Sequence, residues 1–237
     1  MGKDYEIRQE AQVDATPEQV WHAIATGPGI SSWFVGRTEV AGSTVRTSFG
    51  DDWIPAGTVT AAEPGHRFAY RSDTADDGRF LANEYLIEGR DRATTVLRAV
   101  ASGFLPGDDW ADEYEAMQFG TQLFFRTLVE YLQHFPGRAA TPLTLFSPPV
   151  PDWPATWQRL HAELGLDSEP RAGDAVKSDL IADGVVYFTN PHTVGVRTAD
   201  GLYRFIRGLH GGMVLSHSLF GPADPAPWQH FAARLPR

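Results

Sequence analysis

The 237 residues carry a formal net charge of −10, are 42% hydrophobic and include no cysteine. The acidic balance argues against binding to nucleic acid or to an anionic membrane surface, because both depend on clustered Lys and Arg. The absence of cysteine excludes disulfides, thiolate nucleophiles and cysteine metal ligands. No stretch approaches the roughly 18 apolar residues of a spanning helix, and the N-terminal ten residues lack the apolar run of a secretory signal. We therefore expect a folded, soluble, cytoplasmic protein.

The first predicted elements are a strand and a helix. Residues 5–13 alternate bulky and polar side chains, which is the period-2 pattern of a half-buried strand. Thr16, Pro17 and Glu18 then provide an N-cap, a favoured first helical residue and a first-turn acid, so a helix is predicted to begin at residue 17. The Gly-Pro-Gly sequence at 27–29 predicts its end.

From residue 38 to residue 102 the chain alternates strand patterns with turns rich in Gly, Pro and Asp. The predicted strands are Thr44–Phe49, Ile54–Ala61, His66–Arg71, Phe80–Glu88 and Thr94–Ala101. A long amphipathic helix is predicted at 110–134, because apolar residues recur there at helical spacing. This order predicts an α+β fold, in which a curved antiparallel sheet wraps around the long C-terminal helix and leaves a cavity between the two layers.

Several short motifs occur in this region in a fixed order, at 15–24 (ATPEQVWHAI), 33–34, 57–64, 68–70 and 102–104. In these motifs, residues 5–135 resemble the domains named after the activator of Hsp90 ATPase, in the START-like or SRPBCC superfamily. The resemblance implies a helix-grip fold with a cavity for an apolar or amphipathic ligand. It implies no particular reaction, since the superfamily includes lipid carriers, plant hormone receptors and polyketide cyclases. Many members have a histidine just before the Ser-Gly-Phe motif, where this chain has Ala101.

The remaining third of the chain has a separate pattern. Residues 136–150 are rich in proline and low in charge, which is typical of a linker or a strapping segment. A helix is predicted at 152–164, four short strands between 185 and 219, and a final helix at 227–235. We therefore divide the chain into a helix-grip domain (1–135), a proline-rich linker (136–150) and a small α+β module (151–237).

The small module contains faint echoes of the first domain. The segment 215–220 (LSHSLF) resembles the strand that ends at 102–104, and it has His217 where the first domain has Ala101. Thr156-Trp157 is a second faint correspondence, with Val20-Trp21 of the first domain. Two explanations stay open: a degenerate repeat of the first domain, or chance similarity between two β-meanders.

The candidate ligand-binding residues face the predicted space between sheet and helix. Outward charges on the last two strands of the first domain turn their alternate, mostly apolar residues inward, and aromatic residues with a few polar tips are typical of a ligand pocket. The candidates are Trp33, Phe49, Phe68, Tyr70, Asn83, Tyr85, Leu97, Met117, Thr121 and Phe124. The alternative is a filled core. The loop residues Trp33, Phe34 and Trp53 form either a lid over the cavity or a plug that closes one end of it.

No motif for phosphate, dinucleotide or metal binding occurs, and the eight histidines are scattered along the chain. We therefore assign no catalytic residue, no metal ligand and no cofactor. The first hypothesis is a carrier or sensor for a small apolar or aromatic molecule. The second is a cyclase- or hydrolase-type enzyme that uses Tyr70, Tyr85 and either His217 or His192. The family name suggests a third, a chaperone-associated interaction protein. A small molecule is the expected partner, and homodimerisation is left open.

Overall fold

The computed structural model describes residues 2–89, 94–107, 110–167, 169–208 and 211–235. The chain divides into two compact units, Met1–Ala139 (unit 1) and Ala140–Arg237 (unit 2), and each is described by itself. None of the helices in the described residues is both long and apolar enough to cross a membrane.

Unit 1 combines two short helices, an antiparallel sheet and one long helix. Its elements are, in chain order, β1 (Lys3–Val13), α1 (Pro17–Ala25), α2 (Gly27–Ser31), β2 (Thr38–Ala41), β3 (Thr44–Phe49), β4 (Asp52–Trp53), β5 (Gly57–Glu63), β6 (Arg67–Ser72), β7 (Phe80–Gly89), β8 (Thr95–Leu105) and α3 (Trp110–His134).

Local chemistry explains the start of α1. The Thr16 side chain accepts a hydrogen bond from the Gln19 backbone N–H, and the Gln19 side chain accepts one from the Thr16 backbone N–H. This reciprocal capping box satisfies two donors that a helix start otherwise leaves without partners. The buried residues Val20, Ala23 and Ile24 then fix which face of α1 packs against the core.

The sheet of unit 1 has the order β1-β8-β7-β6-β5-β3-β2, with β4 paired to β3, and all its pairs are antiparallel. A register shift between Val59 and Ala61 interrupts the β5–β6 pairing, and such bulges bend a sheet. Helix α3 covers one face of this curved sheet, which confirms the predicted helix-grip fold. Its C-terminal half buries Leu128 and Leu132 fully, whereas the described residues from 110 to 122 stay partly or fully exposed.

Unit 2 is a second α+β unit with its own sheet. Its elements are β9 (Thr141–Pro149), α4 (Trp153–Glu163), β10 (Ala175–Val176), β11 (Gly184–Asn190), β12 (Thr193–Thr198), β13 (Gly201–Arg207), β14 (Gly212–Leu219) and α5 (Ala226–Arg234). The sheet order is β10-β11-β12-β13-β14-β9. Helices α4 and α5 pack on one face of it, where Leu160, Trp228 and Phe231 join a core with Phe205 and Leu215.

The segment predicted as a linker is largely a strand. β9 pairs with β14 from Thr141 opposite Leu219 to Phe146 opposite Val214, and again at Pro149 opposite Gly212 after a register shift. Proline lacks the backbone N–H that a central strand needs, but an edge strand can leave that side without a partner strand. β9 lies at the edge of its sheet, so its three prolines are compatible with pairing.

Candidate functional site

The candidate site lies on the face of the unit 1 sheet that α3 covers, which we call the inner face. Four neighbouring strands, β6, β7, β8 and β1, place their inward residues in rows. One row runs from Tyr70 through Asn83 and Ala101 to Ile7. The next runs from Phe68 through Tyr85 and Ala99 to Gln9. The middle of both rows is alanine, so the centre of the inner face has little side-chain volume.

Tyr70 and Tyr85 form the polar pair of the site. Their hydroxyl groups interact across the neighbouring strands β6 and β7, and either hydroxyl can be the donor. Burial raises the pKa of Tyr70 to about 12 and that of Tyr85 well above its usual 10, because an apolar environment disfavours the phenolate. Both phenols are therefore neutral at physiological pH. Tyr70 nevertheless keeps a partly accessible side chain, whereas Tyr85 is 8% exposed.

Two side-chain amides complete the polar groups of the inner face. Asn83 lies opposite Tyr70, and Gln9 lies two strands from Tyr85 in its row. Both are partly buried, and neither amide has a hydrogen-bond partner among the described residues. Asn83 is one of the predicted residues. Gln9 was missed, although the alternation of Tyr5 and Ile7 in the same strand already places it inward.

An aromatic group closes one end of the site. The Trp33 ring packs edge-on against Tyr85 at 6.2 Å, and Phe34 packs against Phe124 at 4.8 Å. Phe68 contacts the Tyr70 ring and Trp21, each at 5.9 Å between centroids.

Trp33 itself has the contacts of a plug. It is 2% exposed, and its Nε1–H donates to the Ala23 carbonyl at 2.9 Å. Trp53 lies elsewhere, on the surface between Arg37 and Arg46, with a 37% exposed side chain.

At the other end, Met117 belongs to a second apolar cluster with Tyr5, Ile7 and Leu105. Burial raises the pKa of Tyr5 to about 12, and the nearby Glu113 carboxylate adds to this shift. Glu113 is paired with Arg79.

The other predicted residues occupy the margins of the site. Leu97 is fully buried opposite Ile87 and forms part of the packed floor. Thr121 is partly buried between Met117 and Phe124 on α3. Phe49 ends β3 next to the two-residue strand β4, opposite Asp52.

The inner face has no charge at its centre. Among the described inward residues of β6, β7 and β8, and of β1 from Tyr5 to Val13, none is Lys, Arg, His, Asp or Glu. No group of three or more His, Cys, Asp or Glu side chains gathers anywhere in the described parts of the chain to hold a metal ion. The arrangement can therefore offer neutral hydrogen bonds and apolar contact.

His217 belongs to the core of unit 2. It is 1% exposed and packs against Trp228, Tyr203 and Phe205, with the Trp228 ring centre 4.1 Å away. Its Nδ1 accepts the Arg204 backbone N–H at 3.3 Å. Desolvation lowers its pKa to about 3, and the charge of Arg204 contributes. An imidazole that stays neutral inside a core cannot exchange protons with a ligand at neutral pH.

The family model described as activator of Hsp90 ATPase homolog 1-like protein matches residues 14–133, just over half of the chain. The chain belongs to this family. The match begins two residues before the N-cap of α1 and ends in α3, so this family domain comprises most of unit 1 and contains the inner face except for β1. A search of curated proteins finds no match.

Solved structures with similarity to the chain fall into two groups by coverage. The Aha1 dimer from Colwellia psychrerythraea is 18% identical with a TM-score of 0.45, and the match covers 54% of this chain and 96% of that one. DynU16, described as a putative protein in the dynemicin biosynthetic locus, is 19% identical with a TM-score of 0.45, covering 96% and 94%. The di-domain ARO/CYC BexL from the BE-7585A biosynthetic pathway is 12% identical with a TM-score of 0.47, covering 96% and 92%.

Proposed function

We propose that unit 1 binds one small, uncharged, largely apolar or aromatic molecule between the sheet and α3, as a carrier or sensor. The observation that carries this proposal is the state of Tyr70. Its side chain keeps accessible surface, yet surrounding protein raises the pKa of its hydroxyl to about 12. A tyrosine open to bulk water would not lose its hydration in this way. An accessible surface that faces an enclosed space would account for both properties of Tyr70, and this supports the proposal.

Small residues on both the sheet and α3 leave room for a ligand between them. Ala99 and Ala101 give the sheet a flat centre between Tyr85, Asn83 and Gln9. On α3, a Cβ atom built on Gly120 would meet no atom within 4 Å. Gly120 borders the stripe of Met117 and Phe124 that faces the sheet, because residues three and four positions apart share a helix face.

The polar groups indicate the chemistry of the ligand. Asn83 and Gln9 are partly buried and have no hydrogen-bond partner among the described residues, so their amides can still donate to and accept from a ligand. A ligand with a hydroxyl, carbonyl or amide group can satisfy them, and its apolar body can contact Phe68 and Phe124. A ligand carboxylate would lose its hydration with no cation on the inner face to compensate, which costs far more than burying a neutral hydroxyl.

Fluorescence titration with N-phenyl-1-naphthylamine, a neutral aromatic probe, tests binding directly. We expect the emission of the probe to increase when the purified protein is added. Native mass spectra should show any molecule that copurifies with the protein, and that molecule should displace the probe. Ala99→Phe, which fills the flat centre, should weaken probe binding by at least about tenfold. The matched control Val100→Phe adds the same ring on the opposite face and should bind as the wild type does. A wild-type protein that neither binds the probe nor carries a copurified molecule would exclude the proposal.

A pair of matched ligands tests the preference for an uncharged group. The compounds 2-naphthol and 2-naphthoate share one ring system, and at pH 7 the former is neutral and the latter anionic. We expect 2-naphthol to bind at least about tenfold more tightly, because the anion finds no compensating charge on the inner face. Equal affinities, or tighter binding of the naphthoate, would contradict the proposed ligand class even if the probe binds.

A further inference from the structure

Unit 2 repeats the topology of unit 1. In each unit the first strand pairs antiparallel with the last strand, and the remaining strands follow in reverse chain order. A helix follows the first strand, and another helix follows the last. The two sheets differ in the number of strands: the strand order has seven strands in unit 1 and six in unit 2. The first and last strands of a unit are far apart along the chain, so local sequence preferences do not make them pair. The same pairing in both units is therefore evidence that the units share one fold.

The two units also agree position by position at their starts. Ile7 pairs with Ala101, and Leu143 pairs with His217. The N-cap Thr16 follows Ile7 by nine positions, and the N-cap Asp152 follows Leu143 by nine positions.

The helices that follow continue this alignment without a gap. Val20 and Thr156 are both fully buried four residues after their N-caps, and Ile24 and Leu160 are both fully buried eight residues after them. A tryptophan stands five residues after each cap, at 21 and at 157. One chance similarity would not preserve strand register, cap and buried face together.

We propose that unit 2 is a second helix-grip domain whose ligand space is filled by its own side chains, so that the chain has one binding site and one closed copy of it. The register assigns the equivalents: His217 lies where unit 1 has Ala101, and Leu215 where it has Ala99. On the neighbouring strand, Tyr203 stands in place of Asn83 and Phe205 in place of Tyr85. On the last strand of each unit, unit 1 has alanine at both positions and unit 2 has a larger side chain at both.

The enlarged side chains form a continuous aromatic core. The His217 ring centre lies 4.1 Å from Trp228, 5.2 Å from Tyr203 and 5.4 Å from Phe205. Phe231 of α5 packs against Phe205 at 6.2 Å. All five rings are at most 8% exposed, in contrast to the partly accessible Tyr70 and Asn83 of unit 1. Unit 2 therefore has packed rings at the positions where the proposed site of unit 1 has space.

A reciprocal exchange tests the equivalence, and the unit 1 half of it rests on the proposed function. Ala101→His places in unit 1 the imidazole that fills unit 2, and it should weaken N-phenyl-1-naphthylamine binding by at least about tenfold. The matched control Val100→His adds the same ring to the opposite face and should bind the probe as the wild type does. The wild type should bind one probe molecule per chain. Two equivalent sites, or unchanged binding by Ala101→His, would overturn the inference.

The unit 2 half is tested without any assumption about unit 1. His217→Ala should open a space lined by Tyr203, Phe205 and Trp228, and 4-methylimidazole at pH 8 should raise the melting temperature of this variant but not that of the wild type. The exposed His230 gives the control His230→Ala, which should show no such rise. If His217→Ala does not fold, His217→Val offers a smaller space for the same measurement. No rise with either variant overturns the filled-copy assignment, whereas a wild type that binds no probe overturns only the proposed function.

Discussion

The hydroxyl groups of Tyr70 and Tyr85 interact between the neighbouring strands β6 and β7. Either hydroxyl can be the donor. The two residues differ in burial, because Tyr85 is 8% exposed whereas Tyr70 keeps a partly accessible side chain. This difference makes the two tyrosines unequal in their expected effects.

Replacing Tyr70 should cost more than replacing Tyr85. Tyr70→Phe leaves the buried Tyr85 hydroxyl without its polar neighbour, and we expect a loss of about 1–3 kcal/mol in the free energy of unfolding. Tyr85→Phe leaves the Tyr70 hydroxyl in a partly accessible position, and should cost about 1 kcal/mol. Urea unfolding of both variants measures the difference. Equal losses would show that the difference in burial does not decide the cost.

The raised tyrosine pKa values predict a loss of stability in alkali. The pKa of Tyr5 and that of Tyr70 are raised to about 12, against about 10 in an unfolded chain. Above pH 10 the unfolded state releases these protons while the folded state keeps them, so the stabilisation present below pH 10 is lost as the pH rises toward 12. Unfolding in urea at pH 8 to 11 measures this. Tyr70→Phe should flatten the decline, and an unchanged slope would contradict the assignment.

Acid should weaken unit 2 through His217. Its pKa is lowered to about 3 in the folded state, against about 6.5 when unfolded. Between these values only the unfolded state binds the proton, so stability is full above pH 6.5 and falls as the pH drops toward 3. The effect approaches about 1.4 kcal/mol per pH unit for one proton. His217→Gln removes this proton, so urea unfolding from pH 7 to 4 should show a shallower fall than in the wild type. The control His230→Gln should keep the wild-type slope.

Much of unit 1 could be predicted from local sequence signals. The cap at Thr16 and the turns rich in Gly, Pro and Asp mark where elements begin and end, and the helix predicted at 110–134 is present as Trp110–His134. The strand predicted to start at Ile54 begins instead at Gly57. Pro55 has no N–H to donate to a ladder, and Trp53 turns back to pair with Ser48.

Nonlocal pairing explains what the sequence did not reveal. The proline content of residues 136–150 predicts a linker, but residues 141–149 form β9, whose pairing partner β14 lies about seventy residues away along the chain. Strand register defines the equivalence of Leu143 with Ile7, so this equivalence cannot be derived before the pairing is known. The predicted site residues include Asn83 and both tyrosines, but which of them share a row depends on strand register and not on spacing.

Two glycines should respond in opposite ways to alanine. Gly120 lies inside α3, and an added Cβ would meet open space. Gly120→Ala should therefore raise the free energy of unfolding by about 0.5–1 kcal/mol, because glycine weakens a helix interior by that amount. At Gly103 the added Cβ would clash with the Phe80 carbonyl oxygen and the Tyr5 ring, so Gly103→Ala should destabilise the protein by more than about 2 kcal/mol. Thermal unfolding of both variants measures these opposite changes in stability. The prediction would be wrong if Gly120→Ala also destabilised the fold.

Trp33 should contribute to stability more than to ligand binding. The Nε1–H of this fully buried ring donates to the Ala23 carbonyl at 2.9 Å. Trp33→Phe keeps an aromatic ring against Tyr85 but leaves that carbonyl without its donor, and should cost about 1–3 kcal/mol in urea unfolding. Because the ring closes the end of the site rather than contacting its centre, the affinity for N-phenyl-1-naphthylamine should change by less than about threefold. A large loss of affinity with little loss of stability would instead identify Trp33 as a direct ligand contact.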